Sequence, residues 1–365
     1  MAKEEVKMKS LLRLLLKNQH PQNRYPQAQT EKGMTLIELL IGTVMAFLII
    51  TPMLAFVVDM LNTDRREQVK TNTEQDIQAA VDFIAQDLSQ AIHIYDNNTT
   101  TGIPALIEGQ FIPTGADRTP ILVFWKRQII RSAIPADNTV TPQPSDCPTD
   151  PQPGQPRVCD DTYVLSLVAY YQITDNLPIW CQPSGLPCPT RIARYQIQDG
   201  LENKKSLTTG QLYTQFRAGQ TRHRAYNAGN PATNAPAFDI TRPEQNVTRG
   251  GANFDEPPEV LVNYIDHTPK PLSGGNECAN ALGNPAVTSA GGGSTPIGEG
   301  TLKITDPDTN SFYACVDTSR NIARVTIRGN SLRRLQNSNV PSSPENSAFF
   351  PTASVQVQGL GARGR

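Results

Sequence analysis

One carboxylate stands alone in an apolar run. Met34 to Val58 reads MTLIELLIGTVMAFLIITPMLAFVV, and Glu38 is its only charge. An ionised side chain within a bilayer costs roughly 2.5–3.5 kcal/mol on insertion scales, so it needs a cationic partner at the same depth. The chemistry available to Glu38 is therefore ion pairing with another chain's cation, which is the chemistry of assembly.

The remaining reactive side chains are few. Cys147, Cys159, Cys181, Cys188, Cys278 and Cys315 all follow the apolar run. An even number on one side of a membrane segment reads as disulfides made in an oxidising compartment. Sequence alone allows many pairings. Nearest-neighbour pairing (Cys147–Cys159, Cys181–Cys188, Cys278–Cys315) would close each loop beside a predicted strand. A zinc site is the weaker alternative, because no CxxC occurs and the histidines are scattered at 20, 93, 223 and 267.

Asp306-Pro307-Asp308-Thr309-Asn310, with Asp317 at the twelfth place, approaches a calcium-loop count. Ser311 stands where such a loop needs glycine, so a plain Asp-Pro-Asp turn is the preferred reading. Arg217, Arg222 and Arg224, interleaved with Phe216, His223 and Tyr226, could contact acidic polysaccharide or DNA. A solvated loop is the blander reading and is favoured, since the chain beyond the leader is net acidic. HExxH, GxSxG and P-loop signatures are absent, and no cofactor is implied. Gly359 to Gly364 spells GxGxxG but no helix of useful length can follow it, so it reads as accidental. No enzyme activity is expected; a tethered hydrolase with unmarked carboxylates is the least favoured reading.

The elements that must position Glu38 follow from pattern. The apolar run is long enough to cross a bilayer with some tilt, and soluble core helices seldom stay apolar on every face for that length. Residues 1–33 hold seven Lys and Arg against three Glu, a net +4; with the chain at −1, the rest carries −5. The positive-inside rule keeps this leader cytoplasmic and sends the C-terminal bulk outward. The junction Lys32-Gly33-Met34 precedes the apolar core instead of following it, so a cut there removes the leader and keeps the anchor.

Lys-Gly-Met-Thr-Leu-Ile-Glu followed by an apolar helix resembles the N-terminal signal of type IV prepilins and pseudopilins. That resemblance covers about the first sixty residues. It implies cleavage between Gly33 and Met34 by a membrane prepilin peptidase, and N-methylation of Met34. Glu38 then becomes the fifth mature residue, facing the amino terminus of a neighbouring subunit. The mature chain starts with Met where the family most often has Phe. The leader is long and initiation at Met8 would shorten it. Pro52 lies earlier than the kinking proline of major pilins. The implied partners are other pilins, the peptidase and an inner-membrane assembly platform.

The large head is similar to minor pilins of the W or J type. The surroundings of Cys278, Phe312 to Val316 and Phe349 to Ser354 resemble cyanobacterial pseudopilins of hormogonium polysaccharide secretion. That narrower likeness implies polysaccharide export and gliding motility. A pilus-displayed adhesin or DNA receptor is the alternative. The implied location is the inner membrane, single pass with a periplasmic head, and then a pilus or pseudopilus.

Beyond the membrane, Val69, Thr73, Ile77, Val81, Ile84, Leu88 and Ile92 recur at helical spacing, predicting that the helix continues to about Tyr95 before Asp96-Asn97-Asn98. Asp64, Arg66, Glu67, Lys70, Glu74, Asp82 and Gln86 form its polar face. The spacing suits packing on the chain's own head better than a heptad coiled coil. Strands are expected at Pro120–Trp125, Tyr163–Ile173, Ile192–Ile197, Val260–Ile265, Phe312–Val316, Ala323–Ile327 and Ser354–Val357. Three segments read as long, largely disordered loops: 138–157, 217–257 and 269–300. The fold class is α+β, a long N-terminal helix on an antiparallel sheet. Its expected divisions are a leader (1–33), a transmembrane half-helix (34–60), an amphipathic half-helix (61–95) and a β-rich head (96–365), built as one large domain or two small ones.

Overall fold

The computed structural model describes residues 33–108, 112–135, 147, 159–198, 258–268, 275–288, 292–338 and 340–361. The chain divides into two units, residues 1–62 and 63–365. Helix α1 (Leu36–Ser89) begins in the first and ends in the second. Within the first unit every described residue is exposed. It is the one helix long and apolar enough to cross a membrane among the described residues.

In the second unit α1 buries Thr73, Ile77, Val81, Ile84 and Leu88, as its spacing predicts, and also Ala80 and Asp87, which the predicted stripe does not include; Val69 is half-buried. The helix stops at Ser89, earlier than Tyr95. Ala91–Ile94 instead forms strand β1, with Ile94 opposite Phe124. Two β-branched residues and a partner strand prevail over a helical spacing that Ile92 merely continues.

A short helix α2 (Ile103–Glu108) leads to β2 (Arg118–Pro135), then β3 (Cys159–Ile173), β4 (Thr190–Gln198) and β5 (Glu259–Ile265). These pair antiparallel in the order β1-β2-β3-β4-β5. All seven predicted strand runs are strands. β2 extends ten residues past its predicted end at Trp125, opposite the first half of β3. That extension, with Lys126, Arg127 and Arg131, lacks the composition of a strand; Ile130, Ala133 and Ile134 pack with Val164 to hold it.

The segment read as a third loop carries regular structure. Helix α3 (Glu277–Ala281), strands β6 (Ala286–Thr288) and β7 (Ser294–Pro296) and helix α4 (Glu299–Leu302) lie within or just past 269–300. The Glu299 carboxylate accepts the Cys278 and Ala279 amides (2.7 and 2.9 Å), satisfying open donors at the start of α3. Composition alone cannot show that capping. Then β8 (Lys303–Thr305), β9 (Phe312–Asp317), β10 (Ile322–Arg328) and β11 (Thr352–Gln358) form a second antiparallel sheet, ordered β11-β10-β9-β8.

The two sheets and the helix share one core. Ile84, Leu88, Phe124, Tyr170, Val316, Val325 and Ile327 all belong to it. A bridge from Ile265 to Gly329 joins the sheets, and buried Asp266 accepts from Arg328 Nε at 2.7 Å. The α+β class holds: a long helix against antiparallel sheets.

Candidate assembly helix and its anchorage

Glu38 occupies the first turn of α1, where the open amides of a helix N-terminus favour an anion. Its amide donates to Thr35 O (3.0 Å), and Thr35 Oγ1 lies 3.5 Å from its carboxylate. Gly33 and Met34 sit exposed just before the helix, and among the described residues, its chain neighbours aside, nothing lies within 4 Å of where a Gly33 side chain would begin. Around Glu38 the apolar side chains are bare: Leu36 is 86 % exposed and Phe47 71 %. So continuous an apolar surface requires lipid or other helices as its cover. Pro52 lies inside the helix and withholds one N–H from the ladder. Just before it, Thr51 Oγ1 donates to Phe47 O at 2.8 Å.

The other half of α1 is gripped by the head through a group that the sequence reading missed. Asp87 falls on the buried stripe between Ile84 and Leu88. One oxygen accepts from Lys126 Nζ of β2 (2.8 Å). The other accepts from Arg194 Nε of β4 (2.7 Å) and from the Tyr170 hydroxyl of β3 (2.7 Å). Three adjacent strands thus close on one carboxylate. Arg194 also donates to Gln196 Oε1 (2.6 Å), whose amide donates to Gln128 Oε1 (2.8 Å), so the cationic side is itself held.

The electrostatics follow from burial and pairing. Burial alone would raise the Asp87 carboxyl, but the hydrogen bonds from Arg194 and Lys126 outweigh it and hold it below the usual carboxylate range. Burial lowers the Lys126 ammonium, with Asp87 offsetting part of the effect. Burial, then the neighbouring Asp87 charge, pushes the Tyr170 phenol up, so it stays a donor. A carboxylate on an apolar helical stripe is the sequence signal that could have revealed this node.

A second grip lies nearer the middle of the helix. A side chain on Gly329 would begin 2.2 Å from Ile77 Cδ1 and 2.9 Å from Thr73 Cγ2. The absence of a Cβ lets the segment after β10 press against α1. Arg334 pairs with Asp76 and stacks 4.4 Å over Tyr264. These residues edge a groove of about 710 Å³ between α1 and β5, floored by Ala79 and Ala80.

The cysteines form Cys147–Cys159, Cys181–Cys188 and Cys278–Cys315, with Cα separations of 5.8, 4.9 and 5.1 Å. Those are the nearest-neighbour pairs. Between Cys181 and Cys188, buried Arg333 donates to Pro183 O (2.8 Å) and Gly185 O (2.6 Å), tying the loop to the head. Arg217, Arg222 and Arg224, with their aromatic neighbours, lie outside the described residues. Asp306 and Asp317 do not converge on one loop. Asp306 accepts the Asp308 amide and the Thr119 hydroxyl, while Asp317 holds Ser319 and Arg320. Gly359 and Gly361 of the GxGxxG string pack against backbone carbonyls of β1.

No protein-family model, curated protein or solved structure matches this chain. The architecture is pilin-like. A helix that starts bare and apolar and ends clasped by antiparallel sheets, with disulfides in the sheet-bearing part, is what carries that statement.

Proposed function

We propose that this chain is a minor pseudopilin, a structural or priming subunit of a type IV pilus-like or type II secretion-like filament. The observation that carries this reading is the division of labour along α1. Its first half presents uncovered apolar side chains and one carboxylate, and its second half is fixed to the head through Asp87. A helix so built can lie in a bilayer as a single-pass anchor and later exchange lipid for neighbouring helices.

In this reading a prepilin peptidase cuts between Gly33 and Met34, and Met34 becomes the methylated amino terminus. Glu38 then pairs with the amino terminus of an adjacent pilin. Pairing of that kind contributes register more than stability. An assembly platform in the inner membrane lifts the subunit, and the Asp87 node transmits the pull from helix to head. The role is mechanical, not catalytic. The sequence resemblance around Cys278, Phe312 to Val316 and Phe349 to Ser354 to hormogonium pseudopilins supports service in polysaccharide secretion and gliding motility, with acidic polysaccharide as a contact of the Arg217, Arg222 and Arg224 segment.

Glu38→Ala tests the reading. The variant is expected to insert into membranes as the parent does and to be lost from sheared filaments. Equal recovery of parent and variant in the filament fraction would remove Glu38 from the mechanism.

A further inference from the structure

Sheet edges invite pairing with other chains unless something blunts them. Three of the four edges of the two large sheets are blunted. β1 has four residues and a register shift; Asn321 Nδ2 donates to Ala91 O (3.0 Å) and Thr318 Oγ1 to Ile94 O (2.9 Å). β5 pairs irregularly with β4, turns through positive φ at Tyr264, and meets Gly329 and Asn330. β8 has three residues, and Asn97 donates to Lys303 O. β11 has no such device. Its seven residues, TASVQVQ, pair with β10 in unbroken register and include no proline and no charge.

The ladder's alternation identifies which groups are open. Gly329 N–H donates to Pro351 O and Gly359 N–H to Asn321 O, both at 2.9 Å, at the two ends of the β10–β11 register. In an antiparallel pair, bonded and unbonded positions alternate. Ala353, Val355 and Val357 therefore bond inward to β10. Thr352, Ser354, Gln356 and Gln358 turn their N–H and C=O outward, and all four are exposed. Among the described residues no backbone or side-chain group bonds to that outer side.

We propose that β11 is a self-recognition edge: two copies of this chain join β11 to β11, antiparallel and centred on Val355. The strand is complementary to itself in that register. Thr352 faces Gln358 and Ser354 faces Gln356 on the polar face. Ala353 faces Val357 and Val355 faces Val355 on the apolar face. The outward groups then exchange about eight backbone bonds, and Val355 falls at an unbonded position where opposed Cα atoms lie about 4.5 Å apart. An uncharged strand meets no like-charge repulsion in its own copy. The two four-stranded sheets become one of eight, closed by a two-fold axis. A register shifted by one residue would set apolar side chains against polar ones.

The test uses the full chain in dodecyl maltoside micelles. All six native cysteines are paired, so an introduced cysteine is the sole free thiol. The parent is expected to show a dimeric protein mass. On mild oxidation Val355→Cys should link to itself nearly completely, and Ser354→Cys, which faces residue 356, should not. Gln356→Pro removes an outward N–H and spares the β10 ladder, so it should be monomeric with the parent's circular dichroism spectrum, its melting midpoint lowered only by the lost dimerisation. If that variant fails to fold, Ser354→Pro serves in its place. A monomeric parent, equal linking at 354 and 355, or a dimer that survives the proline would each overturn the proposal. Survival would place the contact in the apolar helix.

Discussion

Asp87→Ala should be among the most damaging single changes in the head. It removes one carboxylate and strands two cations: Lys126 and Arg194, whose side chains are 7 % and 15 % exposed. Breaking a buried pair by deleting one member costs roughly 3–5 kcal/mol, because the remaining charge stays desolvated. Here the two remaining charges also repel each other. For a domain this large that cost corresponds to a melting shift on the order of 6–10 °C. Lys126→Met should be far milder, about 1–2 kcal/mol, since Asp87 keeps Arg194 and Tyr170 as partners. The assay is thermal unfolding of the full chain in detergent, followed by circular dichroism.

The pH dependence has a definite sign. The Asp87 carboxyl is lowered in the folded head, so its contribution is complete above the unfolded carboxylate range, near about pH 4. It fades as pH falls through the lower folded value. Asp175 and Asp317 are also lowered, each by bonds that outweigh burial, and they act equally in parent and variant. The gap between parent and Asp87→Ala should thus be constant from pH 8 to 5 and should close below about pH 4. Melting within 1 °C of the parent at pH 7, or a gap that widens in acid, would refute the reasoning.

Gly329→Ala should cost about 1–3 kcal/mol by overpacking the helix contact, and Ile77→Val in the same chain should recover part of it by removing Cδ1; chemical denaturation of the four combinations reads the coupling. Replacing Cys278 and Cys315 by serine opens a loop of 37 residues and should cost about 4 kcal/mol. Opening the 7-residue Cys181–Cys188 loop should cost about 2.5 kcal/mol, an order that denaturant midpoints would check.

The helix and strands were legible because burial leaves periodic traces. Thr73, Ile77, Val81, Ile84 and Leu88 repeat as a helix face must, and the β-branched runs around Val168 and Val325 repeat as strands must. What failed to show was set by contacts between distant parts. Ala91–Ile94 becomes a strand because β2 lies beside it, and α3 forms where the Glu299 carboxylate and a disulfide meet it. Asp87 looks in sequence like Asp82, a polar residue on a helix. Its place on the apolar stripe beside Ile84 and Leu88 is the one local hint; the partners that make it a node, Lys126, Tyr170 and Arg194, lie 39, 83 and 107 positions away. The motif at Gly33, Met34 and Glu38 is local chemistry and needs no fold to be read.

The mass of the mature amino-terminal peptide, taken from cells with a working prepilin peptidase, tests the central claim most directly. A peptide that begins at Met34 and carries one added methyl group is the predicted result. A peptide that begins at Met1 or Met8 would contradict it.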